Sequence, residues 1–391
     1  SNFRAGVNAG NSIESGGNQN VLVGDEAGTA LTTGVRNVLL GYAAGDSLTD
    51  ADFNVGIGYG AIAADTLGSG SVAIGDFTLV NQNFTSATTT YNTAVGYSAG
   101  ASVTTGVRNT LIGGISGDAI TTGGDNVAVG ANALTSNTTA SNNTAVGSAS
   151  LITNTTGSFN TGLGNSALYA NTTGTYNVAV GYQALDANTT AANNTAVGYA
   201  SLGANTTGTV NTAVGANALD ANTTANHNTA VGYESLGANT TGTQNTALGS
   251  KTLQTNTTAD NNTAVGYLAL TANTTGATNV AVGSSALQAN TTAADNVAVG
   301  YQALLTNTTG AENTSVGSFS MNLNTTGSYN SAFGRLALRV NTTGIQNTAL
   351  GYQTMSANTT ANNNTAVGYN AMVANTTGTV NVAVGAQALD A

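Results

Sequence analysis

Few residues in this chain have the chemistry for catalysis or metal binding, and their placement argues against both. Asp50, Asp52 and Asn54 stand in D-x-D-x-N spacing within "DADFNVG", the opening of a calcium loop. The glycine falls one place late and the closing Glu is missing, so the triplet reads as a polar corner. His227 is the single histidine. It has no patterned nucleophile, base or acid around it and reads as a variable surface residue. "GLGNSA" at Gly162–Ala167 matches a dinucleotide fingerprint without the strand–turn–helix surroundings that give the motif its meaning. "NTT" occurs 15 times from Asn137 to Asn375, each formally an N-glycosylation sequon. Glycans about 4.8 Å apart would crowd one another, so a turn with stacked asparagines is the expectation. Tyr182, Tyr199, Tyr233, Tyr267 and Tyr301 recur at one place in a pattern. They suit packing over smaller neighbours, or a stripe that binds sugars; packing is expected. Nothing joins a nucleophile to a base and an acid. The sequence points to a non-enzyme with no catalytic, cofactor-binding or metal site.

What must position these residues is a repeat. Asn177, Asn194, Asn211, Asn228, Asn245 and Asn262 open near-identical copies 17 residues apart. The register holds from Asn92 to Asn381 and extends back through "NVLVG" at Asn20, "NVLLG" at Asn37, "NVGIG" at Asn54 and "SVAIG" at Ser71. These openings number 22, and one copy, Ser71 to Asn92, runs to 21 residues. A short fixed period across a whole chain marks a solenoid. The 391 residues form one array over 1–391, with more divergent coils over 1–91, a longer coil at 71–91 and regular repeats over 92–391.

Composition narrows the function classes. Six Lys and Arg against a net charge of −11 cannot supply a basic track for phosphates, which excludes nucleic acid as a partner. No apolar run reaches the length of a bilayer span, so no membrane insertion is expected. The absence of cysteine removes disulfides and thiolate metal sites. A chain this polar could be disordered, but disordered chains lack regularly spaced apolar positions.

Numbering each copy 1–17 from its asparagine, positions 2–5 read Thr/Val-Ala-Val-Gly, a short strand ending at a glycine. Position 9 is Leu or Met from Leu134 to Leu389, and Met321, Met355 and Met372 all fall there, as a buried slot allows. "NTTG" or "NTTA" turns the chain back. The expected fold is all-β, a parallel β-solenoid. Positions 4 and 9 are expected to point inward, and asparagines at positions 1 and 12 to form ladders. At about 4.8 Å per coil the rod would be roughly 105 Å long. The extra residues near Asn81–Tyr91 should bulge while the flanking coils stay stacked. Position 3, small in most copies (Ala128, Ala145, Ala179, Ala196, Ala213, with Gly162 and Ser315), should face away from the core and pack against another chain.

"SVAIG" at Ser71–Gly75 and the "NTAVG" and "NVAVG" copies resemble the head repeat of trimeric autotransporter adhesins, a left-handed parallel β-roll with three chains to a head. The longer unit "NTAVGYxALxANTTG" also resembles repeat regions of bacteriophage tail fibres. The resemblance covers nearly the whole chain and implies a homotrimer. The function it implies is the shaft or receptor-reaching segment of an extracellular fibre on a virion surface. A cell-surface receptor, glycan or protein, would then be met through a tip outside this chain or at its end. The alternative is the head or stalk of a bacterial surface adhesin, and a third reading, from the threonine rows, is an ice-binding solenoid. Ser1 in place of Met and a stop in mid-coil at Ala391 read as a window from a longer polypeptide.

Overall fold

The computed structural model describes residues 1–390 and divides into two compact units, Ser1–Asn194 and Thr195–Ala391. In both, each coil contributes one three-residue strand at positions 2–4, paired in parallel with its copy in the next coil, and the first unit adds a short parallel pair, Gly68–Ser69 with Thr88–Thr89. In the first unit Val127, Ala128 and Val129 lie beside Thr144, Ala145 and Val146. In the second, Thr212, Ala213 and Val214 lie beside Thr229, Ala230 and Val231. Among the described residues there is no helix. The fold is an all-β parallel solenoid of about 22 turns, counted over both units. A strand at Phe3–Ala5, paired with Val21–Val23, precedes the first opening read from the sequence. It escaped notice because Arg4 occupies position 3 and the step from Asn2 to Asn20 is 18 residues.

Outside the strand the coils are still tied backbone to backbone. In most coils three non-glycine residues, at positions 7, 9 and 17, are left-handed; in one coil these are Asn132 (φ 57°), Leu134 (φ 57°) and Asn142 (φ 61°). Such conformations are unfavourable for side chains by about 1–2 kcal/mol each. Here each aims its N–H along the stack: Leu134 N donates to Ser150 O at 3.0 Å and Asn142 N to Gly124 O at 3.1 Å. Position 5 goes further. Gly130 has φ +135°, and a Cβ there would stand 2.6 Å from Gly147 O, so only glycine lets the next coil approach.

The interior reverses one expectation. Position 3 points in: Ala128, Ala145, Ala196 and Ala213 are 0% exposed within a single chain. Position 4 points out, with Leu163 45% and Leu350 48% exposed. Position 9 is buried as expected, from Leu134 to Met355, both 0% exposed. The small residue at position 3 therefore answers its own coil, where the position 9 leucine fills the space, and it carries no information about a second chain. Three coils, opening at Asn20, Asn37 and Asn109, make the exchange visible. Leu22, Leu39 and Leu111 occupy position 3 there, and the same coils carry Gly28, Gly45 and Gly117 at position 9 and Leu31, Leu48 and Ile120 at position 12. Two side-chain sets, Leu–Gly–Leu and Ala–Leu–Asn, fill the same cross-section.

Both asparagine ladders are present. At position 12, Asn154 Nδ2 donates to Asn137 Oδ1 (3.1 Å) and to Gly157 O (2.9 Å). At position 1, Asn143 Nδ2 donates to the same Gly157 O (2.9 Å), while Asn143 N donates to Asn126 Oδ1 (3.0 Å). These buried polar groups are thus paired, as burial requires, with Asn262 Nδ2 an exception.

The longer coil bulges at Thr85–Ala87, which are exposed, and Phe84 is tucked beneath. Stacking continues on either side, Val55 to Val72 and Val72 to Thr93. A buried network replaces the ladder at this point. Gln82 Nε2 donates to Asp65 Oδ2 (2.7 Å) and Ser71 Oγ (2.9 Å), and Asn92 Nδ2 donates to Gln82 Oε1 (2.8 Å).

Candidate interaction surface

Because position 3 points inward, positions 2 and 4 share the outer face of each strand. Position 2 is Thr, Val or Ser, and position 4 is Val, Leu, Ile or Phe, from Val21 and Val23 onward. No charge interrupts either column. The bulkiest position 4 residues stand well out, with Ile112 at 40%, Phe333 at 41% and Leu350 at 48% exposure. In the second unit 12 strands contribute, a strip roughly 50–55 Å long with its two columns about 7 Å apart. An uncharged strip of this size is larger than scattered surface apolar residues account for. Position 4 varies among Val, Leu, Ile and Phe, as an outer face permits, whereas leucine at position 3, as in Leu22, Leu39 and Leu111, comes with glycine at position 9.

The other candidate residues do not converge. Asp50 Oδ1 accepts from Thr33 Oγ1 (2.6 Å), Asp52 Oδ1 accepts from Val35 N (2.7 Å), and Asn54 is buried in the position 1 ladder, where Asn54 N donates to Asn37 Oδ1 (2.9 Å). They stabilise three different rungs. His227 is exposed at position 17, its N–H bonded to Thr209 O at 3.2 Å. Gly162 is a strand residue and Gly164 the position 5 turn. Of the 15 sequon asparagines, those from Asn137 to Asn358 are 0% exposed; Asn375 is half-buried.

No family model matches the chain, and no curated protein matches it.

Two further columns flank the strand face. Position 6 tyrosines lie on the outside, Tyr182 at 49% and Tyr267 at 54% exposure. Where neighbouring coils both carry a ring the two stack, Tyr42 on Tyr59 at 5.3 Å and Tyr352 on Tyr369 at 5.5 Å. Their faces are then turned to each other along the stack, and their edges are left to solvent. Four half-buried aspartates, Asp46, Asp118, Asp186 and Asp220, sit at position 10, and burial raises the pKa of each above the usual carboxylate value.

Proposed function

We propose that this chain is a shaft segment of an extracellular homotrimeric fibre, a phage tail fibre that mediates host attachment, with chains packed through the position 2 and 4 face. The observation that carries the reading is the uncharged outward strip, whose apolar columns are otherwise open to water. Rigidity supports it too, since within each unit neighbouring coils are tied through strand and turn, and in the regular coils through asparagine ladders. In this reading the receptor, glycan or protein, is met at a tip beyond the repeats. The same face would serve a bacterial trimeric surface adhesin. A second reading has its own observation: threonine at position 2 of many coils stands in register beside valine at position 4, a repeating array that could order water for ice binding.

Sedimentation equilibrium separates these. The fibre reading expects a trimer, and expects Leu248→Lys with Val282→Lys to give folded monomers, because unpaired charge in an apolar interface is strongly unfavourable. Both positions are partly exposed in the single chain, 38% and 36%, so the coil itself tolerates lysine there. A monomeric parent sinks the fibre reading, and a monomer that also shapes ice crystals establishes the second.

A further inference from the structure

The last residue of each coil, position 17, forms an outer column of its own. Its members share one left-handed backbone conformation, as in Arg36 (φ 59°), Phe53 (φ 61°), Tyr91 (φ 50°) and Arg108 (φ 58°), so their side chains leave the coil in the same direction. Rings on adjacent coils then lie face to face: Phe159 and Tyr176 are 5.0 Å apart with 3° between their planes. Among the residues preceding the 22 openings, Gly70 is the only glycine. It falls between Phe53 and Tyr91. Here the column is missing one side chain, and a cavity of about 350 Å³ opens, lined by Asp52, Phe53, Ser69, Gly70, Thr89 and Tyr91.

We propose that this notch binds a single pyranose ring, held between the Phe53 and Tyr91 rings. Phe53 and Tyr91 belong to the coils on either side of Gly70, and the Tyr91 ring leans over the notch: a Cβ on Gly70 would lie 3.7 Å from Tyr91 Cδ1. An exposed aromatic face beside a polar floor suits a chair-form sugar, which offers C–H groups to a ring and hydroxyls to polar side chains. Both rings are open, Phe53 at 52% and Tyr91 at 66% exposure, and Arg36 covers the far side of Phe53 at 5.3 Å. The floor is polar. Asp52 uses Oδ1 to accept from Val35 N (2.7 Å), which leaves its second oxygen for a sugar hydroxyl. Ser69 Oγ accepts from Asp52 N (2.9 Å), leaving its own proton to donate, and Thr89 supplies another hydroxyl. The argument is independent of the fibre reading, since all six residues lie in one chain.

The test is saturation-transfer NMR on the whole chain with the methyl glycosides of glucose, galactose, mannose and N-acetylglucosamine. At least one should receive saturation. Phe53→Ala and Tyr91→Ala should each weaken it by about tenfold or more, the size of one stacking contact. Gly70→Tyr should abolish binding with the circular dichroism unchanged, because tyrosine already adopts this conformation at Tyr176 (φ 57°) and would fill the slot with the chain's own ring. Val210→Tyr, in the same column elsewhere, should leave binding as in the parent. If Gly70→Tyr does not fold, the two alanine variants decide. The proposal is overturned if no glycoside receives saturation, if folded Gly70→Tyr binds like the parent, if both alanine variants do, or if only a planar probe such as phenol binds.

Discussion

Gly117 lies against Leu111, so that a Cβ on the glycine would stand 2.7 Å from Leu111 Cδ2 and 2.9 Å from Ile120 Cδ1. The three residues are one choice. Leu111→Ala alone should open a cavity and destabilise the coil by about 2–5 kcal/mol. Gly117→Leu alone should overpack it, by about 1–3 kcal/mol. Leu111→Ala, Gly117→Leu and Ile120→Asn together should recover most of the loss, because they install the set found in the neighbouring coil as Ala128, Leu134 and Asn137. The backbone accepts the new leucine, since Gly117 has φ 55° and Leu134 has φ 57°. Urea denaturation of the singles and the triple measures the coupling; additive effects would mean that the positions are independent.

The same triplet shows what could and could not be read from the sequence. The period, the parallel stacking, the position 9 slot, both asparagine ladders and the bulge at the long copy follow from spacing and residue type. The inside and outside of the strand do not. Ala and Val at adjacent positions both suit an interior, and alternation says only that they face opposite ways. The deciding fact is long-range within the coil: a leucine at position 9 leaves room for alanine at position 3, and Leu22 with Gly28 is the complementary case. That covariation is visible in the divergent copies once position 9 is known to face position 3. The notch at Gly70 escaped because one glycine among many is inconspicuous until its column is known to project outward, with Phe53 and Tyr91 on either side.

Asn239 tests the ladder. Its Nδ2 donates to Asn222 Oδ1 (3.1 Å) and Gly242 O (2.9 Å), and its Oδ1 accepts from Asn256 Nδ2 (3.0 Å). Asn239→Ala should destabilise by about 1–3 kcal/mol through the partners it leaves unpaired. Asn239→Asp should be worse, because a carboxylate cannot donate and would face Asn222 Oδ1 as a buried charge. Chemical denaturation of both variants orders them; an aspartate variant as stable as the parent would remove the ladder's directional role.

The position 10 aspartates set a pH dependence. Asp46, Asp118, Asp186 and Asp220 all have pKa values raised above 3.8 by burial. Asp46 Oδ1 and Asp118 Oδ1 have no hydrogen-bond donor, and burial outweighs the local hydrogen bonds to each carboxyl. A raised carboxyl stabilises the fold fully below its unfolded pKa, and that contribution is lost as pH rises through the folded value. Replacing the four with asparagine should therefore raise the melting temperature at pH 7, with the gain shrinking as pH falls and vanishing below about 3.8. A gain that persists at low pH would assign the effect to packing instead.

Two glycines two coils apart separate a necessary glycine from an incidental one. Gly266 has φ +130°, and a Cβ there would meet Gly283 O at 2.6 Å, while at Gly237 the nearest atom would be Glu234 O at 3.4 Å. Gly266→Ala carries about 1–3 kcal/mol of backbone strain and also pushes against the main chain of the next coil, so the two coils must separate locally. Gly237→Ala has neither problem and should be neutral or stabilising by up to about 1 kcal/mol, through the unfolded chain. In a stack of near-identical coils each interface contributes its own share of stability. Hydrogen exchange of Gly266→Ala should accelerate in the coils beginning at Asn262 and Asn279 and change little ten coils away. Uniform acceleration would instead mean that the array unfolds as one cooperative block, and that the glycine column acts on the whole stack rather than on one contact within it.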